Sequence, residues 1–395
     1  MSTESPFEVA IAGGALIGAA LARALHGAPV ALISQERRTP TPPDAADFDS
    51  RVYAISPGNA AFLAQLGAWS AIPQARRTPV HAMRVYGDDG GSLIEFDAYR
   101  TGCSELAWIV EDRLLQDALW RGLESQDGLK RFSAASLDEL GIVGERARLG
   151  LKDGRSLHAQ LVVGADGARS LVRTRAAIAV EERAYGQRAV VANFACGRPH
   201  RNVAFQWFQG AQKHGAVLAL LPLPADHVSM VWSVPDAEAA RLLALAPAAL
   251  AREVTLASRE SVGELALVTP QRGFALQQLV AQRLVAPRVA LAGDAAHVIH
   301  PLAGQGANLG LQDARVLAGV LRSREPGRDA GDLRLLRRYE RGRAEDILAM
   351  RNTVHGLFRL FESGGSGVSR LRNAGLNLAD RIPVLKNLLM RHAMG

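Results

Sequence analysis

Residues 288–313, RVALAGDAAHVIHPLAGQGANLGLQD, carry the most information about the fold. The apolar run 289–292 is typical of a buried parallel strand, and Gly293 and Asp294 follow where that strand ends. A glycine-rich loop then leads into a helical pattern near Leu309. A carboxylate in this position accepts hydrogen bonds from hydroxyls, and free backbone N–H groups at the helix start attract anions. The stretch therefore predicts a sugar-phosphate site, and the alternative is a glycine-rich turn without a ligand.

The N-terminal segment has a similar arrangement. Residues 7–12 (FEVAIA) predict a strand, residues 13–18 (GGALIG) a tight turn, residues 19–25 a helix and residues 30–33 a second strand. This βαβ unit carries the pattern GxGxxG, which is typical of dinucleotide-binding folds. It therefore predicts that the turn holds a pyrophosphate at the start of the first helix.

Two positions depart from this pattern. Ala15 stands where the second glycine normally lets the backbone approach the pyrophosphate. Ser34 stands where an acidic residue normally binds a ribose hydroxyl, and the nearest carboxylate is Glu36. Ala15 is compatible with binding if its φ is negative, and its methyl group is then expected to loosen the grip on the phosphate.

A third strand-to-loop segment lies at residues 161–170, LVVGADGARS. An apolar strand again ends in Gly and Asp, here Asp166, and Arg169 follows where a helix would begin. A surface Asp-Gly turn is the alternative. A hairpin would need an alternating strand on the far side, which residues 171–175 do not supply. We therefore interpret the segment as part of the same nucleotide site.

These three motifs, in this order and spacing, resemble those of the single-component flavoprotein aromatic hydroxylases. Within that group the chain is similar to the ubiquinone-biosynthesis FAD-dependent hydroxylases of the UbiH type, whose signature residues 300–310 (HPLAGQGANLG) match closely. The resemblance covers nearly the whole chain, with further matching stretches at residues 49–56, 108–115, 185–187, 220–223 and 380–386.

The resemblance implies an α/β fold with a discontinuous Rossmann-like FAD-binding domain, a second β-sheet substrate domain and a helical C-terminus. The three motif strands are expected to meet in one sheet. The predicted domains are residues 1–78, 104–182 and 275–325 for FAD binding, 79–103 and 183–274 for substrate binding, and 326–395 for the helical region. Within the second domain, the pattern predicts a hairpin at 83–96, antiparallel strands at 189–194, 203–208, 216–221 and 228–234, and helix at 236–252.

The resemblance also implies FAD as cofactor and assigns residues to it. Asp294 is expected to bind the ribityl or pyrophosphate region. The catalytic candidates Pro301, Gly304 and Gln305 are expected to face the flavin ring and stabilise negative charge on it. The expected cofactor-binding residues are Gly13, Gly14, Ala15, Gly18, Glu36, Arg51, Arg113, Asp166, Asp294, Gly304, Gly306, Ala307 and Asn308.

The implied reaction hydroxylates a phenol ring, with NAD(P)H as reductant and O₂ as co-substrate. A flavin supplies the difficult chemistry itself, while the protein supplies position and a dry pocket. His297 and His300 flank the Gly293-Asp294 motif, where a structural hydrogen bond is favoured over a catalytic base. The aromatic candidates for the pocket are Phe205, Trp207, Phe208 and Trp232, each of which is equally compatible with ordinary core.

Composition excludes several classes of function. Hydrophobic residues make up 48% of the 395 residues and charged residues 22%, which is typical of globular proteins rather than disordered ones. Cys103 and Cys196 are the only cysteines, so neither a disulfide framework nor a metal site is predicted. The net charge is +7, but the arginines are scattered without interleaved aromatic residues. A solvated surface is therefore favoured over an anionic membrane surface, and nucleic acid is not predicted as a partner.

The predicted location is the cytoplasm, with peripheral contact at the inner face of the cytoplasmic membrane. The N-terminus carries the acidic residues Glu4 and Glu8 and runs directly into the first strand, so no signal peptide is expected. No apolar run reaches the roughly 20 residues that span a bilayer. Residues 371–391 mix apolar and basic side chains, which suits a packing helix or a membrane-surface element. The candidate partners are a lipid-tailed phenol substrate, a second copy of the chain and other ubiquinone-biosynthesis proteins.

Two hypotheses of different classes follow. The first is an FAD-dependent monooxygenase that acts on a polyprenylated phenol. The second is a non-catalytic family member that serves as a subunit of a ubiquinone-biosynthesis assembly, prompted by Ala15 and Ser34. The intact glycines after Asp294 favour the enzyme.

Overall fold

The computed structural model describes residues 7–36, 47–88, 92–209, 215–299 and 306–362. In these ranges the helices are α1 (Leu16–Ala24), α2 (Pro57–Gln65), α3 (Asp112–Leu123), α4 (Leu171–Arg175), α5 (Asp236–Ala244), α6 (Pro247–Ala257), α7 (Gly306–Arg322) and α8 (Leu333–Glu362). Short 3₁₀ turns lie at Gln74–Arg76, Tyr99–Thr101 and Gly293–Ala295.

The strands of the described residues form three sheets. In chain order they are β1 (Phe7–Ala12), β2 (Val30–Ser34), β3 (Val52–Ile55), β4 (Thr78–Val80), β5 (Ala82–Tyr86), β6 (Leu93–Asp97), β7 (Ala107–Glu111), β8 (Leu129–Ser133), β9 (Leu137–Val143), β10 (Arg146–Leu151), β11 (Ser156–Gly164), β12 (Val180–Cys196), β13 (Val203–Phe208), β14 (Val217–Leu223), β15 (His227–Pro235), β16 (Leu265–Leu267), β17 (Arg272–Ala281), β18 (Val285–Ala286), β19 (Val289–Leu291) and β20 (His297–Val298).

The first sheet contains the strands of all three sequence motifs. Its order is β18-β19-β11-β1-β2-β8, and β10 and β9 extend it beside β11. The neighbours β19, β11, β1 and β2 run parallel, so their carboxyl ends lie along one edge. The prediction that the motif strands meet in one sheet is confirmed. This prediction was possible from local sequence, because each apolar strand leads directly into its own glycine turn.

Helix α1 packs against α3 and α7, and α7 packs against α8. Its sequence, LIGAALARA, is rich in small and apolar residues, and most of them are buried. Strand β1 is almost completely buried, as expected for a central parallel strand. This close packing fixes the start of α1 at the edge where the three motifs meet.

The second sheet has the order β20-β17-β12-β15-β14-β13-β5-β6, with β16 beside β12. The predicted antiparallel strands and the hairpin of β5 and β6 are confirmed. Helix is also present between 236 and 252, but as two helices, because Pro247 cannot donate a backbone hydrogen bond and starts α6 anew. The division of the chain into domains stays a prediction.

The two faces of this second sheet differ. Alternate residues such as Phe194, Trp207, Met230 and Trp232 form a core with residues of α5 and α6. The intervening residues point to the opposite face, because side chains alternate along a strand. That opposite face is one wall of the cavity described next.

Candidate active site

One cavity of about 950 Å³ joins the parallel sheet to the second sheet. At the parallel sheet it is lined by the turn after β1, the loop after β11 and the loop after β19. At the second sheet it is lined by β12 to β15 and β17. The predicted nucleotide motifs and the predicted substrate sheet therefore open into one shared space.

In the turn at residues 13–18, the surroundings of Gly13 and Gly18 leave no room for a side chain. Gly13 has φ +110°, and a Cβ there would lie 2.0 Å from the backbone oxygen of Ala165. A Cβ on Gly18 would lie 1.8 Å from the oxygen of Gly13. Gly18 thus serves the packing of the turn and does not itself line the cavity, whereas Gly13 and Gly14 do. Trp120 donates a hydrogen bond from Nε1 to the Gly14 oxygen at 2.8 Å and so holds the turn from behind.

Ala15 lines the cavity with an exposed side chain and is the N-cap of α1. Its φ is −75°, an extended conformation that alanine adopts without strain. Ser34 is buried at the end of β2, where its hydroxyl donates to the backbone oxygen of Glu36 at 3.0 Å. Glu36 is exposed and also lines the cavity, so a carboxylate is present two residues beyond the expected position.

The loop after β11 is organised by Asp166. Its Oδ2 accepts from the backbone nitrogens of Leu171 and Val172 at 2.8 and 3.2 Å and so caps α4. Its Oδ1 is buried without a hydrogen-bond partner, although Asp166 lines the cavity. Arg169 lies beside it with an exposed side chain that also lines the cavity.

Arg173 links two of the motif loops and was not singled out from the sequence. Its guanidinium donates to the oxygen of Ala168 at 2.7 Å and to that of Ala295 at 2.9 Å. Its side chain is buried. The sequence shows several arginines in residues 169–175, but it does not indicate which of them bonds to Ala295, because Ala295 is far away in sequence.

Asp294 and Arg51 both line the cavity, and each interacts electrostatically with the other. Burial raises the pKa of Asp294 above its ordinary value, although Arg51 and His297 oppose this shift. Asp294 is exposed, but it lines the cavity rather than the outer surface. The surrounding protein therefore still removes much of the water from its carboxylate. For Arg51, burial lowers the pKa, but Tyr53, Asp112, Asp294 and Asp49 outweigh it and raise the pKa.

Arg113 is not among the residues that line this cavity. Its guanidinium donates to the backbone oxygen of Asp47 at 2.7 Å and lies 3.9 Å from the carboxylate of Glu111. Asp49 accepts from the backbone nitrogens of both Arg51 and Arg113, at 3.0 and 3.2 Å. The structure therefore brings Arg51 to the cavity and holds Arg113 behind it.

A buried polar cluster lies under the loop after β19. Asp313 of α7 is fully buried, and its Oδ2 accepts from Nε2 of His297 at 2.7 Å and from the nitrogen of Gly293 at 2.9 Å. Its Oδ1 accepts from Nε of Arg343 in α8 at 2.7 Å. His297 thus has the structural role that the sequence favoured, while the roles of Asp313 and Arg343 were missed.

Gly306, Ala307 and Asn308 line the cavity at the start of α7, where free N–H groups favour negative charge. The Asn308 side chain is occupied elsewhere. It donates to the oxygen of Ala54 at 2.7 Å and accepts from the nitrogen of Ser56 at 3.0 Å. The candidates Pro301, Gly304 and Gln305, with His300, lie outside the described residues.

The second sheet gives the cavity an apolar wall of small side chains. Of the four predicted aromatic residues, Trp207 and Trp232 face the core on the other side of the sheet, and Phe208 belongs to a small separate cluster. Phe205 packs in that core and also borders the cavity. The cavity face is instead formed largely by Ala189, Val191, Ala204, Ala219, Leu221 and Val231.

These residues fit FAD. The glycine turn brings backbone within reach of a pyrophosphate, and the adjacent Asp166 keeps a buried oxygen without a partner. At the same cavity, the carboxylate of Asp294 can accept hydrogen bonds from cofactor hydroxyls. The N-terminus of α7 can bind an anionic group. A cavity that continues onto an apolar sheet provides room for a ring beside the cofactor.

The fold is that of the FAD-dependent aromatic hydroxylases. The structure aligns with p-nitrophenol 4-monooxygenase PnpA from Pseudomonas putida with a TM-score of 0.77, over 100% of this chain and 99% of that chain. The identity is 17%, so this likeness speaks for the fold alone.

The sequence comparisons extend this to the family. Residues 6–352 match the model of the FAD binding domain family. The ubiquinone hydroxylase UbiL of Rhodospirillum rubrum is 34% identical over 100% of this chain and 91% of its own length. The 3-demethoxyubiquinol 3-hydroxylase of Escherichia coli is 33% identical over 100% of both chains. The chain belongs to the family of FAD-dependent monooxygenases that contains these hydroxylases, which confirms the resemblance predicted from the motifs.

No helix within the described ranges is long and apolar enough to cross a membrane.

Proposed function

We propose that this monooxygenase hydroxylates the aromatic ring of a polyprenylated phenol in ubiquinone biosynthesis. NAD(P)H is the reductant and O₂ the co-substrate. The observation that carries the proposal is the shared cavity, which joins a nucleotide-binding turn to an apolar sheet face. The names of the full-length relatives UbiL and 3-demethoxyubiquinol 3-hydroxylase support the choice of substrate class.

In this proposal the residues at the parallel sheet hold FAD. Gly13, Gly14 and Ala15 present backbone to the pyrophosphate, and Gly18 keeps that turn compact. Asp294 accepts from the ribityl or pyrophosphate region, and Arg51 balances charge beside it. The remaining proposed contacts come from Glu36, Asp166, Gly306, Ala307 and Asn308, with Arg113 as a support behind the cavity and Gly304 beyond the described residues.

When bound, FAD takes reducing equivalents from NAD(P)H and transfers one oxygen atom from O₂ to the ring. The protein contributes orientation and a dry surrounding. The sheet residues Val191, Ala219 and Val231 exclude water from the space beside the cofactor. The N-terminus of α7 favours negative charge on the reduced ring, and Pro301, Gly304 and Gln305 are proposed to stabilise the same charge.

A polyprenylated substrate keeps its tail in the bilayer, so the enzyme has to reach it there. We therefore propose peripheral contact with the inner face of the cytoplasmic membrane. The attraction comes from the basic residues of segment 371–391, which lies outside the described residues. A second copy of the chain or other ubiquinone-biosynthesis proteins are the proposed partners.

The non-catalytic alternative rests on Ala15 and Ser34. The negative φ of Ala15 and the presence of Glu36 at the cavity weaken that argument. A direct test is to load the purified protein with FAD and follow NAD(P)H oxidation with and without a short-tailed prenylphenol. The proposal expects bound flavin, faster NAD(P)H oxidation with the phenol and a hydroxylated product. Absence of flavin binding, or oxidation without any product, contradicts it.

A further inference from the structure

Ser229 stands out on the cavity face of the second sheet. It lies on β15, paired with Leu221 on β14 and with Asn193 on β12. Its neighbours on the same strand, Val228 and Met230, point to the opposite core. The alternation along β15 therefore directs the Ser229 side chain to the cavity, which it lines.

The hydroxyl of Ser229 has no hydrogen-bond partner, although the residue is only 1% exposed. Buried hydroxyl groups are nearly always paired, because an unpaired one loses its bonds to water without replacement. An exception that opens onto a ligand cavity indicates that the missing partner belongs to the ligand.

The surroundings of this hydroxyl are apolar. Leu221 is its cross-strand neighbour, and Val80, Ile109 and Ala204 pack with Leu221 in one cluster that also lines the cavity. An apolar ring would be held here by contact area alone. A hydroxyl in this apolar part of the wall distinguishes rings that carry an oxygen at the matching position from rings that do not.

Asn193, on the other side of Ser229, also has a buried oxygen without a partner. Its Nδ2 donates to the backbone oxygen of Asp49 at 2.8 Å, so the orientation of the amide is fixed. Asn193 does not line the cavity, so the Ser229 hydroxyl, which can both donate and accept, is the group that a phenolic hydroxyl would meet there.

We propose that Ser229 recognises the substrate by a hydrogen bond to an oxygen substituent on its aromatic ring. Ser229 is thus a specificity-determining residue at the apolar end of the cavity. The inference rests on the proposed function, because it assumes that an aromatic substrate occupies the space beside the second sheet. It adds to that function a specific atom that selects oxygenated rings.

The test is equilibrium binding to the FAD-loaded enzyme without NAD(P)H, so that no turnover occurs. The probes are ortho-hexylphenol and hexylbenzene, which share a tail and differ in the ring oxygen, and binding is followed by the change in flavin absorbance. We expect Ser229→Ala to lower the preference for the phenol over the hydrocarbon by about tenfold relative to the wild type. Ser229→Thr keeps the hydroxyl and is expected to retain the preference.

Ser156→Ala is the matched control, because Ser156 is an exposed serine on β11 that does not line the cavity. Thermal unfolding of each variant shows whether it is folded. If Ser229→Ala keeps the wild-type preference, whatever its stability, the hydroxyl does not select the substrate, and the inference is overturned while the proposed function stands. If the wild type holds no FAD or binds neither probe, the proposed function fails and the inference fails with it.

Discussion

Asp313 accepts a hydrogen bond from Nε2 of His297 at 2.7 Å, and both side chains are almost fully buried. The same carboxylate oxygen accepts from the nitrogen of Gly293, one residue before Asp294. Helix α7 is thereby tied to the loop that presents Asp294 to the cavity. Arg343 of α8 completes the cluster, so the C-terminal helix of the described chain supports the proposed flavin site from below.

We predict that Asp313→Asn lowers the free energy of unfolding by about 3–5 kcal/mol at neutral pH. Arg343 would then lose its buried charged partner and keep the exposed Asp346, and removing the buried partner of an ion pair is costly. Chemical denaturation measures the change. Asp346→Asn is the control, because Asp346 bonds the same Arg343 from an exposed position. It is expected to cost no more than about 1 kcal/mol, and an equal loss in both variants would contradict the account.

The effect of Asp313→Asn should also depend on pH. Burial raises the pKa of Asp313, but His297 and Arg343 outweigh it and hold the pKa below its ordinary value. A carboxyl group with a lowered pKa contributes stability above its unfolded value of about 4, and this stability is lost as the pH falls through the folded value. The difference in stability between wild type and variant should therefore shrink below about pH 4. A constant difference would show that the charge of Asp313 is not what stabilises the cluster.

The Ala15 methyl group is predicted to restrict FAD binding. Ala15→Gly should tighten FAD binding by about fivefold to tenfold, because it removes one crowding group of roughly 1 kcal/mol. Ala15→Val should weaken it. Glycine is at least as good an N-cap as alanine, so helix α1 is not expected to lose stability. Equilibrium titration with FAD measures both variants, and unchanged affinity in both would place the pyrophosphate elsewhere.

Asp294→Ala is predicted to abolish FAD binding and to leave the fold intact. The pKa of Asp294 is raised by burial, so the ionised carboxylate costs stability rather than adding to it as the pH rises above its unfolded pKa. Asp294→Asn should accordingly be at least as stable as the wild type at neutral pH without FAD, yet bind FAD weakly. Thermal unfolding and FAD titration test the two parts. Full FAD occupancy in either variant would show that the site is misassigned.

The sequence predicted the parallel sheet and the position of Asp294, because a strand, its glycine turn and the following helix are close together in the chain. It could not predict that Arg173 joins Ala168 to Ala295, or that Arg343 reaches Asp313. These contacts depend on how distant helices dock, which local pattern does not encode.

The second sheet illustrates the same limit. The strands were evident from their alternating pattern, but which face meets the cavity depends on where α5 and α6 pack. Trp207 and Trp232 turned out to face those helices, whereas small residues and Ser229 face the cavity. Similarly, Arg113 matched a family motif but is held by Asp47, away from the cavity lining.

The tail is predicted to mediate membrane contact. Each basic residue near an anionic leaflet contributes about 1 kcal/mol, and the segment from residue 368 onward has several beside leucines: Arg370, Arg372, Arg381, Lys386 and Arg391. The full chain should sediment with anionic liposomes at low salt and be released at high salt. A chain ending at residue 367 should sediment less and lose turnover of prenylated phenol more than NAD(P)H oxidation. If the full and the shortened chain sediment equally, the segment from residue 368 onward does not mediate membrane contact and instead packs against the rest of the protein.

The central claim is that one cavity holds FAD beside an aromatic substrate and transfers oxygen between them. The most direct measurement is a reaction of the FAD-loaded enzyme with NAD(P)H, isotopically labelled O₂ and a short-tailed prenylphenol, analysed by mass spectrometry. The account predicts a ring-hydroxylated product with one labelled oxygen atom, and a loss of this product in Asp294→Ala. Hydrogen peroxide as the sole oxygen product with every phenol tried, or a hydroxylated product without label, would contradict it.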